Sequence, residues 1–251
     1  MPHSAVRILG LPGLPEIVPR DDLSQLIVQA VAGSGVRIGE GDIFVITQKI
    51  VSKAEGRIVR LDSVEASPLA RQWAATHGKD ERVLELILRE TQRIVRMDRG
   101  ILIVETRQGF VCANAGVDAS NVPEGTVTLL PENPDQSARR LQANLQTAFG
   151  VPVAVIISDT FGRPWRTGLV NVALGVAGLA PLLDYRGQRD SYERPLQVTV
   201  VAVADELAAA AELVMGKIRG VPVAIIQGFD YERAEGSGGE LLRPADEDLF
   251  R

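Results

Sequence analysis

The chain has 251 residues, a formal net charge of −5, an ordinary apolar content and few aromatic residues. That length suits one large domain or two modest ones and buries a core without covalent staples. The acidic balance excludes a general nucleic-acid footprint, and Cys112, the only cysteine, excludes a disulfide framework and a Cys-based zinc site. An anionic nucleotide would therefore be held by local groups and not by the overall field. The start, MPHSAVRILGLPGLPEIVP, has neither the cationic opening nor the continuous apolar stretch of a signal peptide. No segment approaches the roughly 20 apolar residues of a membrane span. A cytosolic protein is the expectation.

In chain order, residues 5–9 (AVRIL) read as a strand running into the loop GLPGLPEIVP. Pro12 and Pro15 stiffen that loop, which suits either a purine-facing surface or a plain connector. Asp21, Asp22 or Ser24 can cap a helix through LSQLIVQAVAG that Gly33 stops. DIFVITQKIVSK, residues 42–53, reads as a strand. In an extended strand Lys49, Val51 and Lys53 share one face, so the two lysines either meet phosphates or snorkel from a half-exposed surface. Residues 63–97 look helical, broken at Thr76-His77-Gly78. ILIVETRQGFVCANAG reads as a strand pair turning at Gln108-Gly109. AGVDASNV, residues 115–122, is an Asx turn by its residues; Asp118 is also the natural second carboxylate for a metal that bridges phosphates.

PDQSARRLQANLQTAFG reads as a helix with Asp135 or Ser137 near its start and Gly150 as its stop, and VPVAVIIS as a buried strand. That strand leads into DTFGRPWRTG. Asp159 and Thr160 are the hard oxygen donors that Mg²⁺ or Mn²⁺ takes, and Arg163 and Arg166 can fork onto phosphate. A strand-ending Asp that caps a turn, followed by surface arginines, accounts for the same residues; the stretch alone does not choose. TGLVNVALGVAGLA, residues 167–180, reads as a tightly packed helix. LQVTVVAVADELAAAAELVMG reads as strand then helix, MGKIRG as its end with Lys217 over the last carbonyls, and VPVAIIQG as a last strand. The Gly-rich tail reads as a mobile loop. Mixed parallel and antiparallel grammar argues for α+β. No Rossmann or Walker glycine motif occurs. His3, in a terminus expected to fray, and His77, in an inter-helix turn, suggest neither a triad nor a His-rich metal site. A phosphatase with a nucleophilic Asp fails too, because its second Asp is replaced by Phe161.

Taken in order, GLPEI, TQKIVSKAEGR, AGVDASNV, SDTFGRPWRTG, LDYRG, VAVADELAAAAELVMGK and VPVAIIQG resemble the coenzyme F-420-0:γ-glutamyl ligase family, called CofE in archaea. The same fold forms the N-terminal half of the mycobacterial protein FbiB. The resemblance implies a single ligase unit over residues 1–251, two interwoven mixed α/β domains per subunit and an intertwined homodimer. It implies neither the nitroreductase-like domain into which FbiB continues nor its FMN. The implied reaction uses GTP and Mg²⁺ or Mn²⁺, one or two ions with K⁺ as a further candidate, to attach L-glutamate to F-420-0 and then γ-linked glutamates through an acyl phosphate. A non-catalytic GTP- or deazaflavin-binding protein of the same fold is the alternative.

Carried onto this chain, the resemblance implies Leu14, Pro15, Glu16 and Ile17 at the GTP, with Gln48 and with Lys53 at the phosphates. Asp118 and Asp159 would hold the first metal, Asn121 the GTP and Thr160 the second metal. Residues 215–221, with Met215, Gly216 and Lys217, would line the nucleotide, and Arg163 and Arg166 would receive its charge. One departure stands out. Archaeal members resemble MGQ at residues 215–217, and that Gln is a second-metal ligand; here Lys217 stands, and an ammonium has no lone pair to give. A second ion would rest on Thr160, water and phosphate alone, or Lys217 would replace part of its charge.

Overall fold

A computed structural model describes residues 5–248; His3 lies outside the described residues. The chain opens with β1 (Arg7–Gly10), α1 (Leu23–Ser34), β2 (Ile43–Thr47) and α2 (Gln48–Ala54). Of the three candidate caps for α1, Asp22 is the one used, accepting from the Gln25 N–H, and the helix ends at left-handed Gly35, two residues past Gly33. The expected strand over 42–53 is corrected: it stops at Thr47 and residues 48–54 are helical. Beyond Thr47 the neighbouring strands no longer pair with it, so the backbone satisfies itself internally.

A second lobe follows: β3 (Ile58–Arg60), α3 (Pro68–His77), α4 (Glu81–Glu90), β4 (Thr91–Asp98), β5 (Ile101–Thr106), β6 (Val111–Ala113) and β7 (Thr126–Thr128). The helical expectation for 63–97 holds only to Glu90. There the chain enters strand β4 without a Gly or Pro, at the β-branched Thr91 whose hydroxyl donates to the Ile87 carbonyl at 2.6 Å. The turn at Gln108-Gly109 stands as expected, with Gly109 N–H closing on the Thr106 carbonyl at 2.9 Å.

The chain continues with α5 (Pro134–Phe149), β8 (Ala154–Arg163), β9 (Arg166–Ala177), β10 (Leu183–Asp184), β11 (Val200–Val201), α6 (Val203–Met215) and β12 (Val223–Gln227), of which β8, β9 and β12 complete the main sheet. Its order is β1-β12-β2-β8-β9, with β2 and β8 parallel and every other pair antiparallel. The middle strands are buried on both faces, as continuous apolar runs require. α1, α2 and α5 cover one face and α6 the other. β10 and β11 form a separate small pair. The result is a mixed α+β architecture with six α-helices among the described residues.

Residues 167–180 are the largest correction. They form strand β9, not a helix. Their small residues serve close approach: a Cβ on Gly175 would lie 2.3 Å from the Pro134 carbonyl oxygen, where α5 begins. Helix α5 is capped by Asn133, leaving Asp135 to accept from the Val176 N–H at 2.9 Å and from Gly238 N–H at 2.7 Å. The second bond, with Ser237 Oγ on the other Asp135 oxygen at 2.6 Å, ties the tail to the sheet, so the expected mobile loop is anchored there.

Candidate functional site

The parallel pairing of β2 and β8 ends at one place, where β2 stops and β8 runs on. Thr47, the end of β2, pairs with Ser158. β8 continues from Asp159 to Arg163 with β9 beside it. Asp159 is thus the first β8 residue past the end of β2, next to the start of α2. Strand side chains alternate. Ile157 lies in the core layer under α1, α2 and α5, and Ile156 in the layer under α6. Asp159 therefore faces α2, and Thr160 faces α6.

On the α2 face, Gln48 is 2% exposed and its carbonyl oxygen accepts from Ser52 Oγ at 2.9 Å. That bond leaves the amide NH₂ to donate to the Asp159 carboxylate. Asp159 keeps a partly accessible edge, yet protein atoms crowd its carboxylate and push its pKa up to about 6. The Thr160 N–H, Gln48 and Lys49 oppose that rise, and the charge on Asp118 adds to it. Cys112 lies beside this carboxylate; burial first, then the Asp159 charge, pushes its thiol up to about 12.

Asp118 sits where the chain, after left-handed Asn114, Ala115 and Gly116, makes a single bridge to Thr128. Its carboxylate accepts from Lys49 Nζ at 2.5 Å and from Ser120 N–H at 2.7 Å, the Asx turn read from the residues. Lys49 also reaches Ser120 Oγ at 2.6 Å and the Ser120 carbonyl at 2.9 Å. Burial pushes the Asp118 carboxyl up, but Lys49 and Ser120 outweigh it and the net shift is downward. Lys49 and Lys53 do share a face, through the i, i+4 spacing of helix α2 and not through a strand. Nor does Lys53 snorkel: its side chain is 5% exposed, and Nζ meets Glu16 Oε1 at 2.5 Å.

Two carboxylates, one of them oriented by the Gln48 amide, are a donor set that fits one hard divalent cation, with phosphate and water completing it. Among the described residues no three His, Cys, Asp or Glu side chains gather as a metal site. The α6 face does not fit a second such ion. There Lys217 Nζ donates to Thr160 Oγ1, and Thr160 Oγ1 lies 2.6 Å from Asn171 Oδ1.

The remaining expected residues divide. Pro15 and Glu16 are exposed, Leu14 is half-buried and Ile17 belongs to the core. Asn121 is exposed with φ 55. Met215, the last residue of α6, has a wholly buried side chain, while Gly216 and Lys217 follow it at the surface end of the helix. Arg163 and Arg166 are not beside Asp159. They flank the tip of the β8–β9 hairpin, roughly 13 Å further along the strand. One Arg163 nitrogen there donates to the Thr167 carbonyl at 2.9 Å. Asn171, Glu212 and Ser52 were missed. The available signal for Asn171 was a lone carboxamide inside an apolar run.

The family model described as F420-0:Gamma-glutamyl ligase matches residues 13–228. The chain belongs to the F420-0:γ-glutamyl ligase family. It is 49% identical to the "Coenzyme F420:L-glutamate ligase" of Methanothermobacter thermautotrophicus over 98% of this chain and 99% of that protein. Its identity to the ligase of the same name from Methanopyrus kandleri is 47%, over 98% of each chain. With that of Archaeoglobus fulgidus it shares 41%, over 98% of this chain and 96% of the other. The matched range takes in the Gln48, Asp118, Asp159 and Lys217 positions of this family member.

Proposed function

We infer that the chain is an amide-bond-forming ligase that joins L-glutamate to coenzyme F-420-0, and then adds γ-linked glutamates, in coenzyme F-420 biosynthesis. GTP is the energy source and GDP the product. The reading is supported by near full-length identity of 41–49% to proteins named as that ligase. The single structural observation that carries it is the Asp118–Asp159 pair, two carboxylates near enough to feel each other's charge, one bonded to Lys49 and the other to Gln48, beside the end of β2.

In the reaction the acceptor carboxylate attacks the γ-phosphorus, the bond to GDP breaks, and an acyl phosphate forms. The glutamate amine then attacks the acyl carbon; a C–N bond forms and phosphate leaves with the C–O electron pair. Catalysis of this kind is mostly positioning and charge stabilisation. Asp118 and Asp159 would hold Mg²⁺ or Mn²⁺, which would supply neutralising charge to phosphate oxygens. Gln48 keeps Asp159 aimed. Lys53 exchanges Glu16 for a phosphate oxygen. Asn121, Pro15, Gly216 and Lys217 line the nucleotide. Thr160 acts from the opposite face through Lys217.

The outer half of the β8–β9 hairpin leaves Trp165 79% and Leu169 69% exposed. We assign that surface to a homodimer contact, with interwoven lobes and with Arg163 and Arg166 carried on it. No helix among the described residues is long and apolar enough to cross a membrane, in keeping with a cytosolic role. Incubation with F-420-0, GTP, Mn²⁺ or Mg²⁺ and L-glutamate, followed by mass spectrometry, tests the activity. A ladder of glutamyl additions is expected. A folded protein that binds GTP and adds none overturns it.

A further inference from the structure

Lys217 ends the α6 connection in an unusual way. Gly216 has φ 62 and ψ 174, a region essentially reserved for glycine, and its N–H closes the helix on the Glu212 carbonyl at 2.9 Å. This turn sends Lys217 back over the hairpin instead of onward along the helix axis. Its Nζ then meets three oxygens from three elements: Thr160 Oγ1 on β8, Asn171 Oδ1 on β9 at 3.4 Å, and Glu212 Oε1 on α6 at 3.1 Å.

Those oxygens are themselves held in place. Thr160 and Asn171 are register partners across the hairpin, and the Thr160 hydroxyl donates to Asn171 Oδ1 at 2.6 Å. Asn171, 2% exposed, donates its amide to Glu212 Oε2 at 3.1 Å. A hydroxyl, a carboxamide oxygen and a carboxylate converging on one point form a hard-donor set for a cation. The cation already there is the ammonium, and its three N–H groups match the three acceptors. The Lys217 side chain is 57% exposed along its length, so it reaches the ring from outside.

We propose that Lys217 is a built-in cation on the Thr160 face, so that this chain holds one divalent ion per site, at Asp118 and Asp159, and none at Thr160. The first ion rests on the ligase reading above; the role of Lys217 does not. The test is the number of Mn²⁺ ions bound per full-length chain, read by electron paramagnetic resonance of free Mn²⁺ with a non-hydrolysable GTP analogue present. Lys217→Gln removes the charge and supplies a carbonyl oxygen, so bound Mn²⁺ is expected to double, from one to two. Lys217→Arg keeps the charge and is expected to stay at the wild-type number.

Two ions on the wild type overturn the proposal. So does an unchanged number on a Lys217→Gln protein that melts like wild type. Should that variant fail to fold, the wild-type number decides alone, one supporting and two overturning. None on the wild type with one on Lys217→Gln would uphold the role of Lys217 and break the Asp118–Asp159 metal reading instead.

Discussion

Glu85 in the second lobe and Asp159 at the sheet end are both carboxylates withdrawn from bulk water, and the fold treats them in opposite ways. Glu85 accepts from Ser67, whose N–H lies 2.9 Å away, and from Arg89 Nε at 2.8 Å; the Ser67 bonds first, then Arg89, hold its carboxyl down at about 2. Asp159 has donors as well, but crowding and the Asp118 charge win, and its carboxyl rises to about 6. Glu85 is satisfied by its own chain, where it joins the start of α3 to α4. Asp159 is left short of positive charge. A carboxylate that the fold leaves undercompensated is where a functional cation belongs.

The two also titrate with opposite sign. Glu85 contributes stability above its ordinary 4.5, and that is lost as pH falls toward about 2. Asp159 costs nothing below its ordinary 3.8, where both states are protonated; the cost grows as pH rises and is complete above about 6. The largest effect should come from Asp159→Asn. Turnover should fall at least about 10³-fold, the scale of losing a group aimed at developing charge. Stability of the metal-free protein at pH 7.5 should rise by about 1–2 kcal/mol. Initial rates and thermal melts at pH 4 and 7.5 check both, and full activity or a lower melting point at pH 7.5 would break the comparison.

Glu85→Gln should do the reverse. Turnover should be unchanged, while stability at pH 7 falls by about 1 kcal/mol, one charge-assisted hydrogen bond after solvent screening. Denaturant titrations at pH 7 and pH 3 should show the gap to wild type narrowing at the lower pH. The smallest effect belongs to Arg89→Ala. Its side chain is 48% exposed and supplies only one of the Glu85 donors, so a loss below about 0.5 kcal/mol is expected. A larger loss would mean that Arg89, not Ser67, satisfies Glu85.

Much of the fold could be read along the chain. The apolar runs at 43–47, 154–158 and 223–227 are the buried strands they appear to be, and Gly150 ends α5 as a left-handed cap. Three segments could not be read. Residues 48–54 carry β-branched residues yet coil into α2, because β2 has run out of partners. Residues 91–97 keep a helical look into β4, for want of a breaking residue. The small residues of β9 imitate a packed helix, although their smallness serves the approach of α5. The site divides in the same way. Asp118, Asp159 and Gln48 were legible from motif resemblance. Asn171 and Glu212 were hidden, since a register across a hairpin and a contact 41 residues away leave no local trace.

By itself the sequence determined the family, the α+β class and the presence of Asp118, Asp159 and Lys217. Those are matters of residue type and order. The tertiary structure decided on which side of β8 each group acts. Because β8 extends past β2, and the extra residue of the register shift at Ile157/Ser158 falls on β9, Asp159 and Thr160 alternate to opposite faces. Adjacent in the chain, they belong to two electrostatic environments, one facing Lys49 and Asp118, the other closed by Lys217.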